Sequence, residues 1–290
     1  MIYFKQTGKM KHKNSLYHSF LFIPLILLLA FTNKIGGDMM STIYSPQNGD
    51  YISPVVNGLE KKDTLLKIIP PDLYYQIMAA NFSYVSDYPN TLKFWDMQRD
   101  ANKTILSDDS IKSLNEKIEL RNASEYILHR AKNEQIIMFN EAHHIEQNRA
   151  FIAMLLKDLK KEGFTYLALE TLNYMDADSM NKRKYVLQYS GTYTADPVFA
   201  SMLNYALKLG YTLVAYENRN HCMDMSAQCR EEREVNQAKN LAQVFEKDKN
   251  AKIIVLGGYN HIIENNATIK MMAYYFKEQT KIDPLTIDQG

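Results

Sequence analysis

Acids and histidines recur at four comparable points in this chain, each at the end of a short apolar run. Ile136–Asn140 leads into Glu141-Ala142-His143-His144, and Tyr166–Leu169 leads into Glu170. Tyr211–Tyr216 leads into Glu217, and Ile253–Gly257 runs into a turn that carries His261. A parallel sheet flanked by helices holds its ligands outside the carboxyl ends of its strands. If these four runs lie side by side, Glu141, Glu170 and Glu217 converge with His143, His144 and His261. Carboxylates and imidazoles in that mixture make either a divalent-metal site or an acid/base site.

Each of these residues also has a structural use. Glu141 near the start of a helix is favoured by the helix dipole. Glu170 and Glu217 have Arg219, Arg230 and Arg233 as potential ion-pair partners. His144 and Glu146 project differently from His143 and are either substrate contacts or solvated side chains. A carboxylate at the end of an apolar strand is costly to bury unless it is paired, hydrogen-bonded or metal-bound. Gly257-Gly258 ahead of His261 permits a tight turn and close approach by a ligand. The joint occurrence at four strand ends favours the functional reading.

Two chemistries fit that reading. With a metal (Mn, Co, Zn or Fe), Glu141, His143, Glu170 and His261 are the candidate ligands, and the metal would lower the pKa of a bound water. Without one, His143 or His261 acts as general base, oriented by a glutamate. Arg219 or Arg233 would stabilise developing negative charge. His144, Glu217 and Tyr259 join these arginines as candidate substrate contacts.

The elements that must position these residues alternate from about residue 135. A helix is expected over about 144–162, because Phe151, Ile152, Leu155, Leu156 and Leu159 fall on one face. Gly163 is its stop. After the strand ending at Leu169, the stretch Thr171–Ala195 has no core pattern and is rich in tyrosine: Tyr174, Tyr185, Tyr189 and Tyr193. An insertion after a strand's carboxyl end would lie over the site as a lid or specificity loop. Asp196-Pro197 starts a helix that ends before Gly210. A charged helix over about 229–247, a strand over 252–257 and a last helix over about 266–278 close the chain. Alternating strands and helices predict an α/β fold, a mainly parallel sheet flanked by helices. Residues 61–130 read as a helical extension ahead of a βα core at 131–290, together one domain. Asn122-Ala-Ser-Glu125 has the form of a capping box. The aromatics Tyr74, Tyr75, Phe82, Tyr84, Phe94 and Trp95 are either core or pocket lining.

The composition sets outer limits. A net charge of +1 over 290 residues, with 46% apolar and 23% charged residues, argues against a nucleic-acid partner. Residues 1–35 carry Lys5, Lys9, Lys11 and Lys13 ahead of the apolar run Phe20–Phe31, which reads as a secretory signal or an uncleaved anchor. Twelve residues interrupted by Pro24 are too few for a spanning helix. An exported protein, periplasmic or secreted, is expected, touching a membrane only through this segment if it is uncleaved. Residues 36–60, rich in Gly, Ser, Pro and Asn, read as a linker. Cys222 and Cys229 are either a disulfide suited to an oxidising compartment or two free thiols.

The Glu141-Ala-His143-His144 turn, the Ala168-Leu169-Glu170 and Tyr216-Glu217 strand ends, the arginine-bearing helix that follows and the Gly258-Tyr-Asn-His261 turn carry a resemblance. Over residues ~120–280 they resemble the superfamily of erythromycin esterases, ChaN-like haem-binding lipoproteins and Tiki/TraB proteins. Its members share paired Gly-x-x-His turns and strand-end glutamates on an α/β fold. By position, Glu141 and His143 match the first turn, Glu170 the strand-end acid and His261 the second turn. Asn140 stands where the first turn has glycine. The Tiki-like branch implies metal-dependent peptide hydrolysis, and the esterase-like branch a His/Glu-activated water attacking an ester or lactone. The ChaN-like branch implies haem binding without catalysis, with Tyr259, a tyrosine of the insertion or a histidine as axial ligand. The expectation is therefore an exported hydrolase acting on a small molecule or peptide, with a haem-binding protein as the alternative.

Overall fold

The computed structural model describes residues 41–43, 49–98, 106–217, 226–265 and 269–290. The expected signal or anchor at 1–35 lies outside them, as do Arg219 and Cys222. No helix among the described residues is long and apolar enough to cross a membrane. The chain divides into two compact units, a helical one ending at Glu119 and an α/β one spanning Leu120–Gly290.

The helical unit comprises α1 (Ile52–Glu60), α2 (Lys62–Leu65), α3 (Pro71–Tyr84), α4 (Tyr88–Asp96) and α5 (Asp108–Lys117). Helix α1 lies within the segment expected to be a linker. Its polar, glycine-containing sequence does local work there. Asp50 Oδ1 accepts from the Ser53 amide at 3.0 Å, and Gly58 lets α3 pass closely. A Cβ on Gly58 would stand 2.1 Å from Met78 Sδ, and Tyr74 OH donates to the Gly58 carbonyl at 3.0 Å. The aromatics of this unit form core: Tyr74, Phe82 and Phe94 are buried among Leu65, Ile77 and Met78.

The α/β unit opens with α6 (Ala123–Ala131), capped by Asn122 Oδ1 on the Glu125 amide at 3.2 Å. Sequence pattern grouped α6 with the helical extension, but its own contacts are with the sheet's helices. Then follow β1 (Ile136–Glu141), α7 (Glu146–Lys161), β2 (Tyr166–Leu169), α8 (Ala177–Arg183), α9 (Pro197–Lys208), β3 (Thr212–Ala215), α10 (Ala227–Lys247), β4 (Ile253–Gly258), α11 (Met272–Thr280) and β5 (Leu285–Ile287). The sheet order is β3-β2-β4-β1-β5 and every pairing is parallel. β1 and β4 are buried along their whole length, as continuous apolar runs covered on both faces must be.

Two features were not expected. The chain does not end on a helix: Leu285–Ile287 adds a fifth strand beside Ile137–Phe139. Three residues are too few to show a period; only pairing with β1 defines them as a strand. The insertion after β2 is also structured. Arg183 grips Asp176 with Nη1 at 2.7 Å and Nη2 at 2.5 Å, and Ser190 Oγ joins them. The Asn181 amide bonds both ways with the Leu213 backbone, each at 2.8 Å. It thus blunts the outer edge of β3, a position where unpaired groups invite association.

Lys252, just ahead of β4, ties the far end of the sheet together. Its Nζ donates to the carbonyls of Ala131 at 2.8 Å, Glu162 at 3.0 Å and Lys132 at 3.3 Å, at the C-terminal ends of α6 and α7. A cation there meets the negative ends of two helix dipoles. Lys252→Met is expected to cost about 1–2 kcal/mol, read as a lower urea midpoint with an unchanged slope. An unaltered midpoint would mean the cap is energetically idle.

Candidate active site

The sheet order puts β4 between β1 and β2, so Gly257-Gly258 is flanked from both sides. Glu141 stands opposite Gly258 in the β1–β4 register. Glu170, one residue past β2, donates its amide to Leu256 O at 3.2 Å. Both carboxylates are buried, so each needs compensation.

For Glu141 it comes from Arg149, at the fourth position of α7. Arg149 Nε donates to Oε2 and Nη2 to Oε1, both at 2.8 Å, the bidentate fork that suits a carboxylate. Arg149 is fully buried, and its Nη1 pairs with Asp196. Asp196 in turn caps α9 through the Val198 amide at 2.7 Å. Burial pushes the Glu141 carboxyl up, but the adjacent Arg149 charge overrides it and holds the group at about 2. Glu141 Oε1 also meets His143 Nδ1 at 2.8 Å. A carboxylate held ionised only accepts, so the His143 Nδ1 carries a proton toward Glu141. The Tyr193 ring stacks on the imidazole at 4.8 Å and 25°, and Arg149 lies 4.9 Å from the same ring's centre.

For Glu170 the partners come from α10 and β4. Oε1 accepts from Arg233 Nη2 at 2.5 Å and lies 3.2 Å from His261 Nε2; Oε2 accepts from the Gly258 amide at 2.7 Å. Burial raises this carboxyl, and the His261 and Arg233 charges outweigh it, leaving it well below the usual range. Arg233 also grips Glu217, with Nε to Oε1 at 3.0 Å. His261 Nδ1 meets Glu234 Oε2 at 2.8 Å. Burial lowers the imidazole's pKa, but Glu234 and Glu170 on either side lift it to about 10. His261 is therefore an imidazolium at neutral pH.

The two clusters meet at Gly258. A Cβ there would come within 3.3 Å of His143 Nε2, 3.4 Å of Glu170 Oε2 and 3.6 Å of His261 Cδ2. A glycine here keeps these three groups free of a side chain between them.

Glu141, His143, Glu170 and His261 are thus brought together, with Arg233 and Glu217 beside them. His144 is removed from solvent, and Glu146 is half-buried. His144 is buried, and burial together with the charges of His143 and Arg149 holds its pKa down at about 3. Glu146 is pushed up to about 7 by burial and by Asp196. The Tyr259 ring lies beside Gly290. Asn140, at the end of β1, fastens the segment after β5. Its Nδ2 donates to Asp288 Oδ1 at 2.6 Å, its Oδ1 accepts from the Gln289 amide at 2.7 Å, and its carbonyl accepts from Gln289 Nε2 at 2.6 Å. Arg219 and Cys222 lie outside the described residues; Cys229, in the first turn of α10, is disulfide-bonded.

Sequence reading passed over Arg149 and Glu234, and saw Asp196 only as a helix cap. The signal was present. Arg149, Ile152, Leu156 and Leu159 share the buried face of α7, and Glu234, Gln237, Ala238, Leu241 and Val244 that of α10. A charge on an apolar face implies a buried partner.

No family model matches the chain, and no curated protein matches it. Solved structures similar to it include two bacterial effectors. The type III effector HopBA1 is 16% identical over 48% of this chain and 72% of its own, with a TM-score of 0.37. RRSP, a MARTX toxin effector domain from Vibrio vulnificus CMCP6, is 15% identical over 74% of this chain and 44% of its own, with a TM-score of 0.45. The chain thus spans less than half the length of RRSP.

The donor set does not fit a resident divalent cation. Both oxygens of Glu141 are taken by a guanidinium, and those of Glu170 by Arg233, His261 and a backbone amide. Both nitrogens of His261 face carboxylates. Among the described residues no group of three ligand-type side chains is arranged around a metal position. The same engagement leaves His261 no free nitrogen for haem iron.

These charges give stability two pH limits. Glu141 falls from an ordinary 4.5 to about 2, so its contribution is present above pH 4.5 and lost as pH drops toward 2. That shift corresponds to ~3 kcal/mol. His261 rises from 6.5 to about 10, so its contribution is complete below pH 6.5 and lost as pH climbs to 10. Urea midpoints are expected to fall on both sides of that window, and Glu141→Gln should flatten the acid limb. An acid limb of unchanged steepness in the variant would contradict this assignment.

Proposed function

We propose that the α/β unit is a hydrolase of ester or peptide bonds that activates water without a resident metal. One observation carries the reading. Two histidines from neighbouring strand ends each give Nδ1 to a buried glutamate and border Gly258, His143 with its Nε2 and His261 with its ring edge at Cδ2. His261, between Glu234 and Glu170, is held in its charged form, which suits it to oppose developing negative charge.

In this mechanism His143 Nε2 takes a proton from water as its oxygen bonds to the acyl carbon. Glu141 holds the imidazole's tautomer and stabilises the imidazolium that forms. The positive charge of His261 and Arg233 opposes the negative charge developing on the carbonyl oxygen. Collapse breaks the bond to the leaving group, and His143 returns its proton to the departing alkoxide or amine. Glu170 fixes Arg233, His261 and the Gly258 amide relative to one another. This follows the esterase-like branch of the superfamily that the motifs resemble. The basic and apolar N-terminal segment supports an exported enzyme.

The test uses the full chain with 4-nitrophenyl acetate, a lactone panel and a peptide library. Hydrolysis is expected from the wild type, undiminished by chelator. It should fall at least ~100-fold in His143→Ala and comparably in Glu170→Gln. Hydrolysis indifferent to His143→Ala would reject the mechanism. A near-stoichiometric metal by elemental analysis, lost together with activity in Glu141→Ala/His261→Ala, would restore a metal-dependent one.

A further inference from the structure

Glu234 moves no proton in that mechanism, yet it is the acid that holds His261. It is buried on α10, immediately after Arg233, and the two side chains diverge: Arg233 reaches Glu170 and Glu217, while Glu234 reaches His261. Its Oε2 lies 2.8 Å from His261 Nδ1 and accepts from the Met272 amide at 2.8 Å. Met272 opens α11, whose N-cap residue Met271 makes no side-chain capping bond. The next amide of α11, Ala273, donates to the His261 carbonyl at 2.9 Å. One carboxylate therefore closes a ring through the imidazole, the histidine's own backbone and the first turn of α11. A carboxylate at a helix start is also favoured by the dipole. The arrangement repeats what Glu141 does for His143.

We propose that Glu234 is a positioning residue: by holding His261 Nδ1 and the α11 terminus together, it fixes the imidazole plane and aims Nε2–H at Glu170. Without it the ring loses its partner on the Nδ1 side in the described contacts and is held from the Nε2 side alone. Nε2 has two neighbours, Glu170 Oε1 at 3.2 Å and Arg233 Nη1 at 3.4 Å. The carboxylate is the nearer and matches a proton on Nε2, so both ring nitrogens donate. The catalytic consequence rests on the hydrolase reading; the ring geometry does not.

Glu234→Gln separates positioning from mere capping. The amide oxygen can still accept from Met272, but the carboxylate that holds Nδ1–H is gone. In 15N-histidine-labelled full-length protein, the wild type is expected to show a protected, far-downfield Nδ1–H resonance that disappears in the assignment control His261→Asn. In Glu234→Gln this resonance should move upfield and lose protection, with the circular dichroism unchanged. If the wild type hydrolyses 4-nitrophenyl acetate, kcat should fall at least ~10-fold with KM little altered. A resonance that stays in place in Glu234→Gln overturns the proposal. So does its absence from the wild type, an outcome that needs no variant to fold. The expected shift without wild-type hydrolysis would leave positioning intact and remove the hydrolase reading; hydrolysis with an unmoved resonance would do the reverse.

Discussion

Burial of carboxylates at the ends of parallel strands governs this structure. β1, β2 and β4 are covered on both faces, so Glu141 and Glu170 emerge where water does not reach them. A buried carboxylate without partners would lose its charge or unfold its surroundings. The chain answers with guanidinium groups from the following helices: Arg149 on α7 for Glu141, and Arg233 on α10 for Glu170. The helices that cover the sheet must also carry these cations, which ties their rotation to the chemistry at the strand ends.

That pairing makes the two histidines different. His143 shares its glutamate with a fully buried arginine, whose positive charge competes for the same carboxylate. His261 lies between two acids, and both favour its protonated form. Similar short motifs at two neighbouring strand ends therefore end in different surroundings. Gly258 on β4 borders both rings.

The residues around this centre are braced. Asp176, Arg183 and Ser190 clamp the insertion after β2, and the insertion delivers Tyr193 onto the His143 ring. Asn140 fastens the segment that follows β5 to the end of β1.

The sequence by itself determined the α/β class, the four longer strands, most helix limits and the acids and histidines at the strand ends. These are local signals: apolar runs, helical periods, glycine stops and an Asp-Pro start all read within a few residues. It left β5, helix α1 and the order of the insertion unseen, because three paired residues, a glycine crossing and a salt-bridge clamp are defined by partners distant in the chain. Only the tertiary structure decided which arginine meets which glutamate, that Glu234 stands behind His261, and that the carboxylates are engaged by guanidinium groups. Ion pairing has no sequence period. A buried charge announces that it needs a partner, but the partner is chosen by strand order and helix rotation.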